Sequence, residues 1–202
     1  MKYTFFDVET ANSNQSSICS IGYIVQENKK IVDKGYYLVK PEPFYMDWGN
    51  TQIHGITREM VKSEPTFDVI WEKIEKHFND TTLLAHFAPF DTKCLRDVLQ
   101  TYEIDFPNAE YSCTCAISKR GLKGLENHKL DTLAKYYGIE FSHHNAMEDT
   151  EACYQVLMNI LKDNNIEDIE ELHSLLKIKK GYMRSNGEWT GFRSLPLNTK
   201  KK

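Results

Sequence analysis

Apolar residues fall into short runs in the first forty positions and then recur at helical spacing along the rest of the chain. Lys2–Phe6 is an apolar run that predicts a buried strand leading into Asp7 and Glu9. Ile18–Gln26 and Ile31–Val39 are rich in β-branched and aromatic residues. The polar turn Glu27-Asn28-Lys29-Lys30 separates them, and together they predict an antiparallel hairpin beside the first strand. The Pro, Trp, Gly and Asn of Pro41–Gly55 predict an irregular surface excursion.

From Thr66 the pattern changes period. Phe67, Ile70, Trp71, Ile74 and Phe78 predict a helix, and a strand at Leu83–His86 follows it. Pro89 opens a second helix with Cys94, Leu95, Val98 and Leu99 on its inner face. Tyr111–Cys113 is expected as a last edge strand. Leu130–Tyr137 reads as a short helix stopped by Gly138. Ala146–Leu161 is the most strongly patterned helix, with Cys153, Val156, Leu157 and Ile160 facing in. Ile166–Leu176 predicts one more helix, and Asn186-Gly187 predicts a hairpin within Gly181–Phe192. Three strands followed by helices alternating with short strands predict a layered α/β domain.

Composition sharpens this picture in three ways. At 202 residues with 41% hydrophobic content, the chain can bury the core of one ordinary domain, or of one domain plus a small appendage. No apolar run approaches the ~20 residues that span a bilayer, and the N-terminus lacks a signal pattern. The expectation is a cytoplasmic protein with no membrane contact. Five cysteines (Cys19, Cys94, Cys113, Cys115 and Cys153) show neither a disulfide framework nor paired zinc spacing, which predicts small buried thiols.

Charge is divided unevenly. Residues 174–202 hold eight Lys or Arg against one acid, a surplus of seven positive charges on a chain of net charge −4. Lys177, Lys179, Lys180, Arg184 and Arg193 interleave with Tyr182, Trp189 and Phe192. That composition suits a hairpin that packs its aromatic residues on the body before it suits contact with single-stranded nucleic acid.

The chemistry lies in three separate segments. Asp7 and Glu9, two apart on a strand, place both carboxylates on one face, where they repel unless a cation lies between them. Asp91 follows Pro89-Phe90 where a strand gives way to a helix, and Asp149 falls in the first turn of the strongest helix. Each acid alone is explained by a solvated strand end or a favourable first turn. His144, five positions before Asp149 on the loop entering that helix, has the pKa range of a general base. Four acids and one histidine make a set suited to two Mg²⁺ or Mn²⁺ ions beside a phosphodiester.

Asp7-Val8-Glu9-Thr10, Phe90-Asp91 and His144 with Asp149 resemble the three motifs of the DEDDh exonucleases, closest to the DnaQ-like, DNA polymerase III epsilon-type 3′–5′ enzymes. Ile53-His54-Gly55-Ile56-Thr57 and Leu130-Asp131-Thr132-Leu133-Ala134 extend the likeness over roughly residues 1–162. The resemblance implies an RNase H-like mixed five-stranded sheet flanked by helices, an exonuclease domain at 1–162 and a basic extension at 163–202. It implies Asp7, Glu9, Asp91 and Asp149 as ligands of two Mg²⁺ or Mn²⁺ ions, and His144 as the base. Thr10, Ile53, His54, Gly55, Phe87 and Phe90 are the implied substrate contacts, Ile53 packing on the terminal base. His143 is expected to be a bystander. The implied partners are single-stranded nucleic acid, DNA favoured over RNA, and a DNA polymerase subunit. The chain departs from the family at Phe87, where an Asn is usual, and at Cys113-Thr114.

Overall fold

The structure is a computed structural model, described here for residues 1–196; the terminal Lys200–Lys202 run of the basic tail lies outside the described residues. Strands β1 (Lys2–Thr10), β2 (Ile18–Glu27) and β3 (Lys30–Leu38) come first, then helices α1 (Trp48–His54), α2 (Arg58–Val61) and α3 (Phe67–Phe78). The middle of the chain is β4 (Thr81–Ala85), α4 (Ala88–Thr101), β5 (Ala109–Cys113), α5 (Thr114–Gly121) and α6 (Leu130–Tyr137). Helices α7 (Ala146–Asp163) and α8 (Ile169–Leu175) precede four short strands: β6 (Ile178–Lys179), β7 (Gly181–Met183), β8 (Trp189–Thr190) and β9 (Arg193–Ser194).

The expected mixed sheet forms with the order β3-β2-β1-β4-β5, and β7 and β8 extend it to seven strands among the described residues. β1 is antiparallel to β2 and parallel to β4, and β4 is parallel to β5. β1 runs past Phe6 to Thr10 because β2 pairs with it along its whole length, so both acids of the first motif sit on a rigid strand. Alternation then sorts the side chains. Phe6 and Val8 join the core under α3 and α4, whereas Tyr3 and Phe5 join the core under α5, α6 and α7. Asp7 and Glu9 continue the Tyr3–Phe5 row and so face the α7 side. Phe5 and Phe6 are fully buried, and truncating either to Ala should cost about 3–5 kcal/mol.

Two expectations are corrected, and one helix had no expectation set against it. Pro41–Gly55 is not wholly irregular, since it contains α1. The Asp47 carboxylate accepts from the N–H groups of Gly49 and Asn50, and Gly55 closes the helix at φ 72°. No residue of α1 is buried, so an apolar period had nothing to mark it. Tyr111–Cys113 is not an edge, because β7 pairs antiparallel along the outer side of β5. Part of the C-terminal extension thereby belongs to the main sheet. The segment after Cys113 forms α5, whose buried Thr114, Cys115, Ile117 and Ser118 are too polar to show a helical stripe. All five cysteines are buried and free, as expected.

Candidate active site

Close approach of backbones assembles the site. Gly22 of β2 pairs directly with Asp7 of β1. A Cβ on Gly22 would lie 2.3 Å from the carbonyl oxygen of Ala146, so only glycine lets the first turn of α7 settle on the sheet there. Thr150 Oγ1 donates to the Gly22 carbonyl at 3.2 Å and ties the two elements together. Asn145 caps α7 by accepting from the N–H groups of Met147 and Glu148. Asp149 is thereby delivered over the Asp7–Glu9 row.

Carboxylate oxygens of Asp7, Glu9 and Asp149 lie within 4.8 Å of one another. Asp91 stands beside this trio. It is buried at the start of α4, and its Oδ1 accepts from the Val8 N–H at 3.4 Å. Burial, then the charges of Asp91, Asp149 and Glu9, hold the Asp7 carboxyl well above the usual range. Burial also raises Asp91, although the Val8 N–H works against it. Glu9 is pushed up to about 7 by burial and then by Asp149. Asp149 is raised by burial, with His143 opposing.

The histidine loop has a different character. The His144 N–H donates to Asp149 Oδ2 at 2.8 Å, while its ring is exposed and its φ is +69°. A left-handed conformation is costly for a residue other than glycine, and such strain is concentrated at working sites. Burial and then the neighbouring His143 lower the His144 pKa, which favours the neutral base. His143 is no bystander. Its ring stacks on His144 at 4.0 Å, and its Nδ1 lies 2.7 Å from Asp149 Oδ1. That nitrogen also accepts from the His144 N–H at 2.9 Å, and the buried Oδ1 has no hydrogen-bond donor among the described residues.

These observations test whether a divalent cation fits. The donors are all carboxylate oxygens, neighbouring acids help raise the pKa of Asp7, Glu9 and Asp91, and one buried oxygen is unsatisfied. A hard oxygen-seeking dication answers all three, and Mg²⁺ or Mn²⁺ suits the set.

The carboxylates open into a cleft of about 550 Å³ whose walls include His86, Phe87, Phe90, Lys119, His128, Lys129, His143 and His144. A second hollow of about 350 Å³ adjoins it at Glu9 and Phe90 and holds Thr10, Asn50, Ile53 and His54. Asn50 Nδ2 donates to the Thr10 carbonyl at 2.8 Å. The His54 Nδ1 accepts from the Ile56 N–H at 3.0 Å, which assigns the proton to Nε2, 3.3 Å from that same Thr10 carbonyl. His54 thus clamps α1 to the end of β1, and burial lowers its pKa. Ile53 is exposed. Gly55 lines neither hollow and serves as the left-handed C-cap.

Sequence patterns passed over His86, Lys119, His128 and Lys129. His86 is held between Thr114 Oγ1 and the His128 carbonyl, both at 3.0 Å, and burial lowers its pKa to about 4. The loop bearing His128 and Lys129 carries no periodicity that could have marked it.

The family model described as Exonuclease, RNase_T, matches residues 4–157. The DNA polymerase III PolC-type of Caldanaerobacter subterraneus subsp. tengcongensis is 28% identical over 181 residues, covering 87% of this chain and 13% of that protein. The chain spans about an eighth of the length of the curated relatives it matches. Exonuclease X, solved with 5′ overhanging duplex DNA, shares the fold at TM-score 0.67 and 23% identity, covering 86% of this chain and 98% of that one. A 3′-exonuclease solved in recognition of a histone mRNA stem-loop shares it at TM-score 0.72 and 15% identity, covering 98% and 72%. The family match runs from β1 into α7 and takes in all three acidic motifs, so the chain belongs to the RNase_T exonuclease family, the DnaQ-like 3′–5′ exonucleases that those motifs resemble.

Proposed function

We propose that the chain hydrolyses the terminal phosphodiester of single-stranded DNA 3′ ends and releases nucleoside 5′-monophosphates. The observation that carries this reading is the convergence of Asp7, Glu9 and Asp149 within 4.8 Å, with His144 on the loop that hydrogen-bonds Asp149. Asp7, Glu9, Asp91 and Asp149 would hold two Mg²⁺ or Mn²⁺ ions. Bound there, such ions activate water and offset charge on the phosphate oxygens. His144, exposed at the cleft mouth and kept neutral, accepts a proton from the attacking water. His143 stacks against it and fixes the ring's direction, so His143 is a positioning residue. Thr10, Ile53 and His54 form the seat for the terminal nucleotide, with Ile53 offering an exposed apolar face to its base. Phe90, shared by both hollows, and Phe87 are the aromatic contacts along the strand.

DNA is favoured over RNA by the likeness to polymerase III chains, and a DNA polymerase subunit is the protein partner this reading implies. The extension at 163–202 is then an accessory to the exonuclease domain at 1–162, joined to its sheet through β7. The histone mRNA enzyme, with the same fold over nearly the whole chain, supports a second reading in which RNA 3′ ends are trimmed. Among the described residues no helix is long and apolar enough to cross a membrane, in keeping with work on nucleic acid in the cytoplasm.

The test uses end-labelled single-stranded DNA and its RNA counterpart, each with Mg²⁺, with Mn²⁺ or with EDTA. Metal-dependent release of mononucleotides from the 3′ end of DNA, faster than from RNA, is the expected result. Faster release from RNA selects the second reading. Absence of release from both strands overturns the enzyme assignment for this site.

A further inference from the structure

A third hollow, of about 390 Å³, continues the path. Phe87, Pro89, Ala116, Lys119 and Phe192 are among its walls. It shares Phe87, Cys115 and Lys119 with the carboxylate cleft, just as that cleft shares Glu9 and Phe90 with the seat by Ile53. The three depressions therefore form one connected track, with the carboxylates in the middle. We propose that the third hollow binds an upstream nucleobase of the strand being degraded, between Phe87 and Phe192, with Lys119 meeting the phosphate that precedes it.

This rests on the exonuclease reading above, which fixes the direction of the strand. With the terminal nucleotide beside Ile53 and the scissile phosphate at the carboxylates, the rest of the strand must leave on the far side. The hollow walled by Phe87 adjoins the carboxylate cleft there. Phe87 is 61% exposed and stands at φ +69°, an outlying backbone state for a bulky aromatic residue. Its ring is thereby presented to solvent at the junction of two hollows instead of joining the core.

Another part of the wall comes from the C-terminal extension. Phe192 is partly buried, packs at the margin of the core, and enters the segment that forms β9. β9 pairs with β6, and the Leu195 N–H donates to the Lys177 carbonyl at 2.8 Å, so this wall is anchored. Arg120 Nη1 donates to the Leu176 carbonyl at 2.7 Å, holding the same segment to α5. Lys119, next to it, is exposed and makes no ion pair among the described residues. An apolar slot lined by two aromatic residues and an exposed lysine matches a base with its phosphate. Aromatic stacking tolerates any base, as a degrading enzyme requires.

The experiment compares a dinucleotide, which reaches only the first two hollows, with a six-nucleotide single strand, using the full chain and Mn²⁺. In the unmodified protein kcat/KM should be higher for the longer strand. Phe192→Ala should lower the ratio of the two kcat/KM values roughly tenfold, the size of one lost stacking contact, and Phe192→Tyr should restore it. Should Phe192→Ala fold poorly, Lys119→Ala at an exposed position carries the test, with a reduced ratio and a salt slope shallower by about one. Fluorescence anisotropy of the labelled six-nucleotide strand in EDTA gives the same comparison without turnover. Dinucleotide cleavage with an unchanged ratio in both alanine variants overturns the upstream site alone. Failure of the unmodified protein to cleave either substrate overturns the exonuclease reading with it.

Discussion

Carboxylates converge at both ends of the parallel strands, and the two clusters are built on opposite plans. At the end where β4 and β5 begin, Glu110 and Glu170 close on Lys180 Nζ at 2.5 and 2.7 Å. Burial works against that ammonium, but the bonds to Glu110 and Glu170 outweigh it and raise its pKa. At the end where β1 finishes, Asp7, Glu9, Asp91 and Asp149 meet with no lysine or arginine ion-paired to any of them among the described residues. The first cluster carries its own countercation and serves the fold. The second leaves its charge unmet and needs a cation from outside. Proximity of acids alone does not separate structure from function; the source of the countercharge does.

The strongest way to break this contrast is Asp7→Asn. Turnover should fall on the order of a thousandfold, as expected when a group that stabilises transition-state charge is lost. The metal-free variant should nevertheless melt higher than the unmodified chain, because one of several mutually repelling buried acids has gone. The rise in Tm that Mn²⁺ gives the unmodified protein should shrink. A variant that melts lower in EDTA would show that the acids are not strained against one another.

His144→Ala should lower kcat roughly a hundredfold, within the range for loss of a general base, while leaving the Mn²⁺-induced rise in Tm intact. His143→Ala should cost less, about tenfold, because His143 orients its neighbour and Asp149 and does not meet the water. Equal losses from the two variants would reverse the roles assigned to them.

Lys180→Met acts on the other cluster and should invert the pattern seen with Asp7→Asn. It leaves Glu110 and Glu170 facing each other and should destabilise the chain by about 2 kcal/mol in denaturant titration, with kcat unchanged.

The last effect, confined to acid pH, is a pH dependence near the same cluster. His173 on α8 is buried, its Nε2 is 2.8 Å from Ser112 Oγ, and its Nδ1 has no partner. Burial lowers its pKa from 6.5 to about 4. Between those values the unfolded chain carries a proton that the folded chain does not. Stability therefore falls as pH drops through that window. Melting curves from pH 7 down to about pH 4.5 should show the unmodified chain losing Tm relative to His173→Gln, with no divergence above pH 7.

Local pattern carried much of this molecule. Strands β1 to β4 and helices α3, α4, α6 and α7 followed from periodicity and from Pro89 and Gly138, because each buries one regular face. The four acids and His144 were legible because motif order and spacing survive in one dimension. Elements that bury no apolar stripe, such as α1, or a polar one, such as α5, left no such trace.

What the sequence by itself determined is therefore the set of chemical groups and the elements that carry them. Tertiary structure alone decided which groups meet. Asp149 reaches Asp7 because Gly22 lets α7 approach the sheet to within the reach of a missing Cβ. His143 acquires a partner because the loop before Asn145 folds back on Asp149. β5 loses its edge, and Phe192 comes to line one hollow with Phe87, because the C-terminal segment returns to the sheet. Each depends on a contact between residues far apart in the chain. Periodicity reports only which face of an element is apolar, and so cannot say what that face, or its polar end, will meet.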